Sequence, residues 1–160
     1  MSVKSRISTC LWFNDNGEEA AQFYVSLFPN SRIVSVSRYE EGGTMPAGLA
    51  MLTRFEIDGV RFAALNGGPH FKLSEAASIV ALCDSQDEID RLWSALTADG
   101  GEESRCGWLK DRFGLSWQIL PSMLEALMSG AKDAGAKNTF AALMDMRKID
   151  IAALEQAAKG

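Results

Sequence analysis

The chain has 160 residues and a formal net charge of −5, and its 16 basic residues are scattered rather than clustered. A phosphate backbone is bound by clustered Lys and Arg, so we expect no nucleic-acid partner. Hydrophobic and charged contents of 47% and 23% are typical of a globular domain. No apolar run approaches the roughly 20 residues that a membrane helix needs, so we expect no membrane partner.

The N-terminus lacks the continuous apolar segment of a signal peptide, which favours a cytoplasmic location. Cys10, Cys83 and Cys106 are an odd number at wide spacing, which is typical of free thiols rather than a disulfide framework. His70 is the single histidine, and there is no CxxC motif. A zinc site of the usual Cys/His kind is therefore poorly supported.

The first half of the chain predicts one strand, one helix and three more strands, at 7–13, about 18–28, 31–39, 49–57 and 60–65. Ala20, Phe23, Tyr24 and Leu27 recur at helical spacing and form one apolar stripe. The dipeptide Asp58-Gly59 is a strong hairpin signal, because a type I′ turn needs positive φ at both of its central positions.

The second half repeats this order, with elements predicted at 78–83, 87–98, 103–106, 108–111 and 115–120. Residues 106–121 read as a β-hairpin whose second arm is largely buried. After Pro121 the pattern becomes helical, at 122–128, about 139–146 and 151–159, with Asp150 as an N-cap for the last helix.

Constant spacing between matched residues supports an internal duplication. The helix starting near Glu19 matches the one near Glu88 at an offset of 69, and the strand after Gly59 matches the one after Gly114 at an offset of 55. Both halves therefore read strand–helix–strand–strand–strand.

Five segments of the sequence carry a family resemblance: Leu11-Trp-Phe-Asn14, 19–31, Leu65-Asn-Gly-Gly-Pro69, 106–121 and Met146-Arg-Lys-Ile-Asp150. They resemble the PhnB-like group of the vicinal oxygen chelate superfamily, which includes glyoxalases, extradiol dioxygenases and fosfomycin- and bleomycin-resistance proteins. Members of the group are often labelled demethylubiquinone methyltransferase domains.

The resemblance implies an α+β fold in which two βαβββ modules form a curved mixed sheet around a cavity, followed by C-terminal helices. We expect one domain over residues 1–160, with module one at about 5–68, module two at about 76–121 and a helical extension at about 122–160. The resemblance also implies a homodimer.

Superfamily chemistry usually rests on a divalent metal held by His, Gln or Glu on the first and last strands of each module. Carried over to this chain, those positions fall at or near Ser8, Ala63, Ser78 and Gln118. Only Gln118 is a reasonable ligand, and a neutral amide alone holds a transition metal poorly. We therefore predict no metal and no cofactor; a divalent metal is the less supported alternative.

The sequence gives no support to the methyltransferase label. A site for S-adenosylmethionine usually uses a glycine-rich turn between a strand and a helix of an open parallel sheet. The double glycines at 42–43, 67–68 and 100–101 lie in predicted loops and lack GxGxxG spacing.

The predicted cavity wall combines apolar surface with a few polar groups, as small-molecule pockets do. Its candidate ligand-binding residues are Ser8, Cys10, Trp12, Ser78, Trp108 and Gln118. For Gln118, a buried amide bonded within a filled core is the alternative to a pocket group. For Trp12 and Trp108, simple packing is the alternative to stacking on a ligand.

Other candidate residues favour structural roles. Cys10 has no neighbouring base in the sequence, so a small apolar residue is a better interpretation than a nucleophile. Trp117 falls on the opposite face of its strand from Gln118 and is predicted in the core. Lys110, Asp111 and Arg112 form a polar turn, either as an ion pair that shapes the hairpin or as an anion contact at the cavity mouth.

Three functions follow from these observations. The leading hypothesis is a small-molecule-binding protein that lacks the usual metal site, with its catalytic residues unknown. The alternatives are a divergent lyase or isomerase of the glyoxalase type, and a dimer that sequesters a drug-like ligand as resistance proteins do.

Overall fold

The computed structural model describes residues 5–128 and 134–160. Its contacts divide the chain into two compact units, the first ending at Leu73 and the second beginning at Ser74. Each unit contains one four-stranded mixed sheet with one helix packed on it, and the second also contains the C-terminal helices. This is the predicted α+β class with two βαβββ modules.

The first sheet has the strand order β1-β4-β3-β2, with β1 parallel to β4 and the other pairs antiparallel. Its elements are β1 (Thr9–Phe13), α1 (Gly17–Leu27), β2 (Arg32–Arg38), β3 (Ala50–Ile57) and β4 (Val60–Asn66). The predicted turn at Asp58-Gly59 is confirmed, with φ of 46° and 77°.

The second sheet repeats this topology in the order β5-β8-β7-β6, with β5 parallel to β8. Its elements are β5 (Ser78–Cys83), α2 (Gln86–Thr97), β6 (Glu102–Glu103), β7 (Trp108–Lys110) and β8 (Ser116–Pro121), and a short 3₁₀ turn follows α2. Ser85 caps α2 by accepting a hydrogen bond from the Glu88 amide at 3.2 Å.

The helices that follow are α3 (Met123–Met128), α4 (Ala134–Asp145) and α5 (Ile151–Lys159). Asp150 caps α5 as predicted, because its carboxylate accepts a hydrogen bond from the Ala153 amide at 3.0 Å. Helix α4 was predicted only from about residue 139, and it begins five residues earlier, at Ala134. Residues 129–133 lie outside the described part of the chain.

Two strand predictions need correction. The first strand begins at Thr9 rather than residue 7, so Ser8 lies just before the sheet. The strand predicted at 103–106 is only Glu102–Glu103, since Cys106 has a φ of 57° and Gly107 a φ of 82°. The amides of these two turn residues donate to the carbonyls of Met146 and Arg147, which ties β7 to the segment before α5.

Successive side chains of a strand point to opposite faces of its sheet, and one face of each sheet packs against the helix of its unit. In the first unit, Leu11, Phe55 and Phe62 are buried with Tyr24 of α1. The second unit buries Trp117 and Ile119 against Leu92 and Leu96 of α2, so the core position predicted for Trp117 is confirmed. Alternate residues, including Cys10, Trp12 and Gln118, lie on the opposite side of each sheet, which we call the distal face.

Candidate functional site

Gln118 lies at the centre of the distal face of the second sheet. Strand register places Val80 of β5 on one side of it and Trp108 of β7 on the other. Side chains directly opposite in adjacent strands lie about 5 Å apart at Cβ, so these three residues form one continuous row.

A hydrogen bond to Ser78 orients the Gln118 amide. Its Nε2 donates to Ser78 Oγ at 2.9 Å, across the two parallel strands. Among the described residues, none donates a hydrogen bond to Gln118 Oε1, and the side chain is only half-buried. The amide therefore has a fixed direction and presents an acceptor oxygen.

The surroundings of Gln118 are apolar and exposed. Val80 is 50% exposed and Leu82 45% exposed, on a strand whose alternate residues Ala81 and Cys83 are buried. Leu120 is paired with Leu82 by register and extends the same surface. Exposed apolar area around one oriented polar group is typical of a surface that binds an organic ligand.

The hairpin between β7 and β8 holds this row in place through Asp111. Its carboxylate accepts hydrogen bonds from the amides of Phe113 and Leu115 at 2.9 and 3.0 Å, and from the Trp117 indole at 2.9 Å. Asp111 is 3% exposed, so the polar turn predicted here has a buried carboxylate at its centre. Because Trp117 is fixed on the core face, Ser116 and Gln118 are fixed on the distal face.

Lys110 forms ion pairs with two residues that are not its neighbours in sequence. Its Nζ lies 3.1 Å from Glu75 Oε1 and 3.6 Å from Glu102 Oε2. The hydrogen bond to Glu75 and the charges of both carboxylates raise the pKa of Lys110. The pKa of Glu75 is lowered, first by a hydrogen bond from its own backbone amide and then by Lys110.

Trp12 forms an aromatic pair on the distal face of the first sheet. Its Nε1 donates to the Gly68 carbonyl at 2.9 Å, and the Phe71 ring meets it edge-on at 4.9 Å between centroids. Gly67 lies against the indole so closely that a Cβ there would be 2.3 Å from Trp12. These contacts fix the indole, while Phe71 stays 66% exposed.

Cys10 also lies on this face, opposite Ala63 of β4. The residue is exposed, but partial burial of its thiol raises the pKa of that group, which disfavours the thiolate that a nucleophile requires. Ser8 and His70 are exposed. Of the predicted ligand-binding residues, Ser78, Trp108 and Gln118 thus form one group in the second unit, and Cys10 and Trp12 lie in the first.

The positions that the superfamily uses for metal carry unsuitable donors here. Ala63 has no donor atom, Ser8 and Ser78 are neutral hydroxyls, and the Gln118 amide nitrogen is directed at Ser78. Across the described part of the chain, no cluster of three His, Cys, Asp or Glu side chains is arranged to hold a metal ion. The residues at these positions therefore do not fit the usual divalent site.

Sequence reasoning missed Glu75 and Glu102, which form ion pairs with Lys110. Glu75 precedes β5 by three residues, and Glu102 lies on β6. Their proximity to Lys110 depends on the pairing of β6 with β7 and on the path of the chain before β5, which no local sequence signal predicts.

Two βαβββ modules in this strand order are the fold of the vicinal oxygen chelate superfamily. The fosfomycin resistance protein FosX from Listeria monocytogenes shares that fold with a TM-score of 0.57 and 16% identity, over 81% of this chain and 99% of that chain. Within this class, a family model described as 3-demethylubiquinone-9 3-methyltransferase matches residues 5–120, and the chain belongs to that family.

Two further solved structures share this fold. The PhnB protein from Bacillus cereus is 33% identical, with a TM-score of 0.69 over 74% of this chain and all (100%) of that chain. Protein PA1353 from Pseudomonas aeruginosa is 23% identical, with a TM-score of 0.60 over 74% of this chain and 98% of that one. The comparison with curated proteins finds no match. None of the helices described is long and apolar enough to cross a membrane.

Proposed function

We propose that this chain binds a small organic molecule on the distal face of its second sheet, without the divalent metal common in its superfamily. The observation that carries the proposal is the Gln118 amide, which is held by Ser78 at 2.9 Å beside the exposed apolar side chains of Val80 and Leu82. A ligand that covers Val80 and Leu82 and donates a hydrogen bond to Gln118 Oε1 matches this surface.

The expected affinity is modest. Covering about 200 Å² of apolar surface contributes roughly 5 kcal/mol. This gain alone corresponds to a Kd of about 0.2 mM. Loss of ligand freedom offsets part of it, so a fragment-sized ligand is expected to bind with a Kd of about 0.2 mM or weaker. One oriented hydrogen bond adds selectivity more than affinity, since both partners give up water to form it.

The proposal includes no metal because the side chains at the superfamily's ligand positions are poor metal donors. A glyoxalase-type site needs charged or imidazole donors, and the carried-over positions offer hydroxyl groups, a methyl group and one amide. We therefore assign Gln118 a binding role, and no step of a metal-dependent lyase or isomerase reaction is attributed to these residues.

Binding is also a better proposal than methyl transfer, although the family description names a methyltransferase. The described sheets are mixed, and the turn after β1 is Asn14-Asp15-Asn16 rather than a glycine-rich loop. Both features favour a role for the sheet face over a cofactor site of the parallel-sheet kind.

We further propose that the chain forms a homodimer, as the family resemblance implies, and that it lies in the cytoplasm. The three cysteines form no disulfide among themselves, as a reducing compartment requires. Light scattering coupled to size-exclusion chromatography tests the assembly, and a monomer at micromolar concentration would exclude the dimer.

Ligand screening with the isotope-labelled chain tests the binding site. A library of apolar fragments with one N–H or O–H donor is expected to shift the Gln118 side-chain amide and the Val80 and Trp108 signals saturably. The Gln118→Ala change is expected to weaken binding about threefold to tenfold, the cost of one hydrogen bond. Gln156→Ala, at an exposed position of α5, is the matched control and should leave binding unchanged.

Two results would reject the proposal. One is fragment binding that clusters on surfaces away from Gln118. The other is equal fragment affinity for Gln118→Ala and Gln156→Ala, which would show that the amide takes no part.

A further inference from the structure

A small pocket opens beside Gln118 on the distal face of the second sheet. Its volume is about 130 Å³, enough for a group of a few heavy atoms. Glu75, Glu102, Trp108, Lys110 and Ser116 are among the residues that line it. Trp108 is the neighbour of Gln118 by register, so the pocket adjoins the proposed binding surface.

Ser116 is the unusual member of this pocket. It is 1% exposed, and its Oγ has no hydrogen-bond partner among the described residues. Its neighbour Trp117 lies in the core, so alternation directs Ser116 to the distal face, where register places it between Ser78 and Lys110. A buried hydroxyl without a partner costs about 1–3 kcal/mol, and a group entering the pocket can satisfy it.

The charges around Ser116 do not balance. Glu75 and Glu102 share the ammonium group of Lys110, at 3.1 and 3.6 Å, and no other cation of the described residues pairs with either carboxylate, so one negative charge is left over. Both carboxylates are more than half exposed and can turn toward a second cation. Glu103 also lines the pocket, but its carboxylate accepts a hydrogen bond from the Trp93 indole at 2.7 Å and lies 3.8 Å from Arg147 Nη1.

We propose that this pocket binds a primary ammonium group of the ligand, donating to Ser116 Oγ and to the carboxylates of Glu75 and Glu102. The inference rests on the proposed function, because Trp108 lines the pocket and borders Gln118. It defines the ligand as an amine with an apolar portion that reaches the Gln118 surface.

The alternatives fit the pocket less well. An anion would lie beside the carboxylates of Glu75 and Glu102, and Lys110 is the one basic residue among the described residues that line the pocket. A neutral hydroxyl group would satisfy Ser116 but leave the charge uncompensated. The ammonium group of an amine does both, because it supplies three donors and one positive charge.

Three two-carbon alcohols of matched size test the charge requirement: ethanolamine, ethylene glycol and glycolate. Each is titrated into the labelled full chain at pH 7 and low salt, and the backbone amides of Lys110 and Ser116 are observed. Ethanolamine is expected to give saturable shifts with an affinity about threefold to tenfold above that of ethylene glycol, and glycolate is expected to bind weakest. Added salt should weaken the binding of ethanolamine alone.

Variants test the residues. Ser116→Ala and Glu102→Gln should each weaken ethanolamine binding about threefold to tenfold. Ser94→Ala and Glu125→Gln, at exposed positions of α2 and α3, are the matched controls. All four proteins are first compared by thermal unfolding, so that a loss of fold is not read as a loss of binding.

The inference is overturned if glycolate binds as well as ethanolamine, if no probe gives saturable shifts, or if Ser116→Ala binds ethanolamine normally. The last two results would indicate that ordered water alone satisfies Ser116. In each of these cases, fragment shifts that persist at Gln118 would leave the proposed function standing, and their loss would reject it separately.

Discussion

The carboxylate of Asp111 accepts a hydrogen bond from the indole nitrogen of Trp117 at 2.9 Å, and both side chains are almost completely buried. The two residues lie on opposite arms of the hairpin between β7 and β8. The same carboxylate binds two amides of the turn between them. This contact therefore fixes both the shape of the turn and the register of β8, on which Ser116 and Gln118 depend.

Replacing Asp111 with Asn is expected to lower the free energy of unfolding by about 1–3 kcal/mol. Three N–H donors point at the carboxylate, and an amide would turn its own NH₂ group toward at least one of them. Denaturant unfolding measures the loss, with Asp145→Asn on exposed α4 as the matched control. A difference below about 0.5 kcal/mol between the two variants would contradict the assigned role.

Gly67 is expected to be intolerant of a side chain because Trp12 occupies the space. A Cβ at residue 67 would lie 2.3 Å from the indole, so Gly67→Ala must displace Trp12 or the loop. We expect a loss of about 1–3 kcal/mol and a changed near-ultraviolet dichroism of tryptophan. Gly43→Ala, where the nearest atom is 3.9 Å away, is the control, and equal spectra for both variants would argue against the fixed indole.

Because Cys83 is buried, its thiol is expected to make the free energy of unfolding fall at high pH. Burial, and then the charge of Glu88, raises the pKa of this thiol to about 12. In the unfolded chain the thiol loses its proton near pH 8.5, so the stability present below that pH is lost as the pH rises toward 12. Between about pH 9 and pH 12, unfolding free energy should fall more steeply in the parent chain than in Cys83→Ala. Identical slopes would contradict this assignment.

Local sequence signals predicted the parts of the fold that depend on a few adjacent residues. The turn at Asp58-Gly59 and the cap at Asp150 each need only two to four residues, and both are confirmed. Alternation along β8 was enough to separate Trp117 in the core from Gln118 on the distal face.

The internal duplication was also predicted from the sequence, and the structure adds one detail to it. Register pairs Arg32 with Glu56 in the first sheet, and Glu102 with Lys110 in the second. Each sheet therefore has one ion pair between its edge strand and the next strand. The edge strand supplies the basic residue in the first sheet and the acidic residue in the second. Offsets in sequence could not show this, because the loops between the strands differ in length.

Contacts between distant segments were the part that the sequence could not supply. The Trp12 indole is fixed by Gly68 and Phe71, more than fifty residues away, and the partners of Lys110 are Glu75 and Glu102 rather than its neighbours in the turn. Such pairs depend on sheet register and loop path. No pattern of spacing or composition encodes them.

The most direct test of a metal-independent ligand site is fragment titration of the labelled chain, read at the Gln118 side-chain amide with excess chelator and then with added Mn²⁺. We expect saturable shifts of Gln118 and Trp108 with Kd values that agree within about twofold under both conditions. Binding that requires Mn²⁺, or stoichiometric Mn²⁺ that selectively broadens the Gln118 signal, would contradict the account.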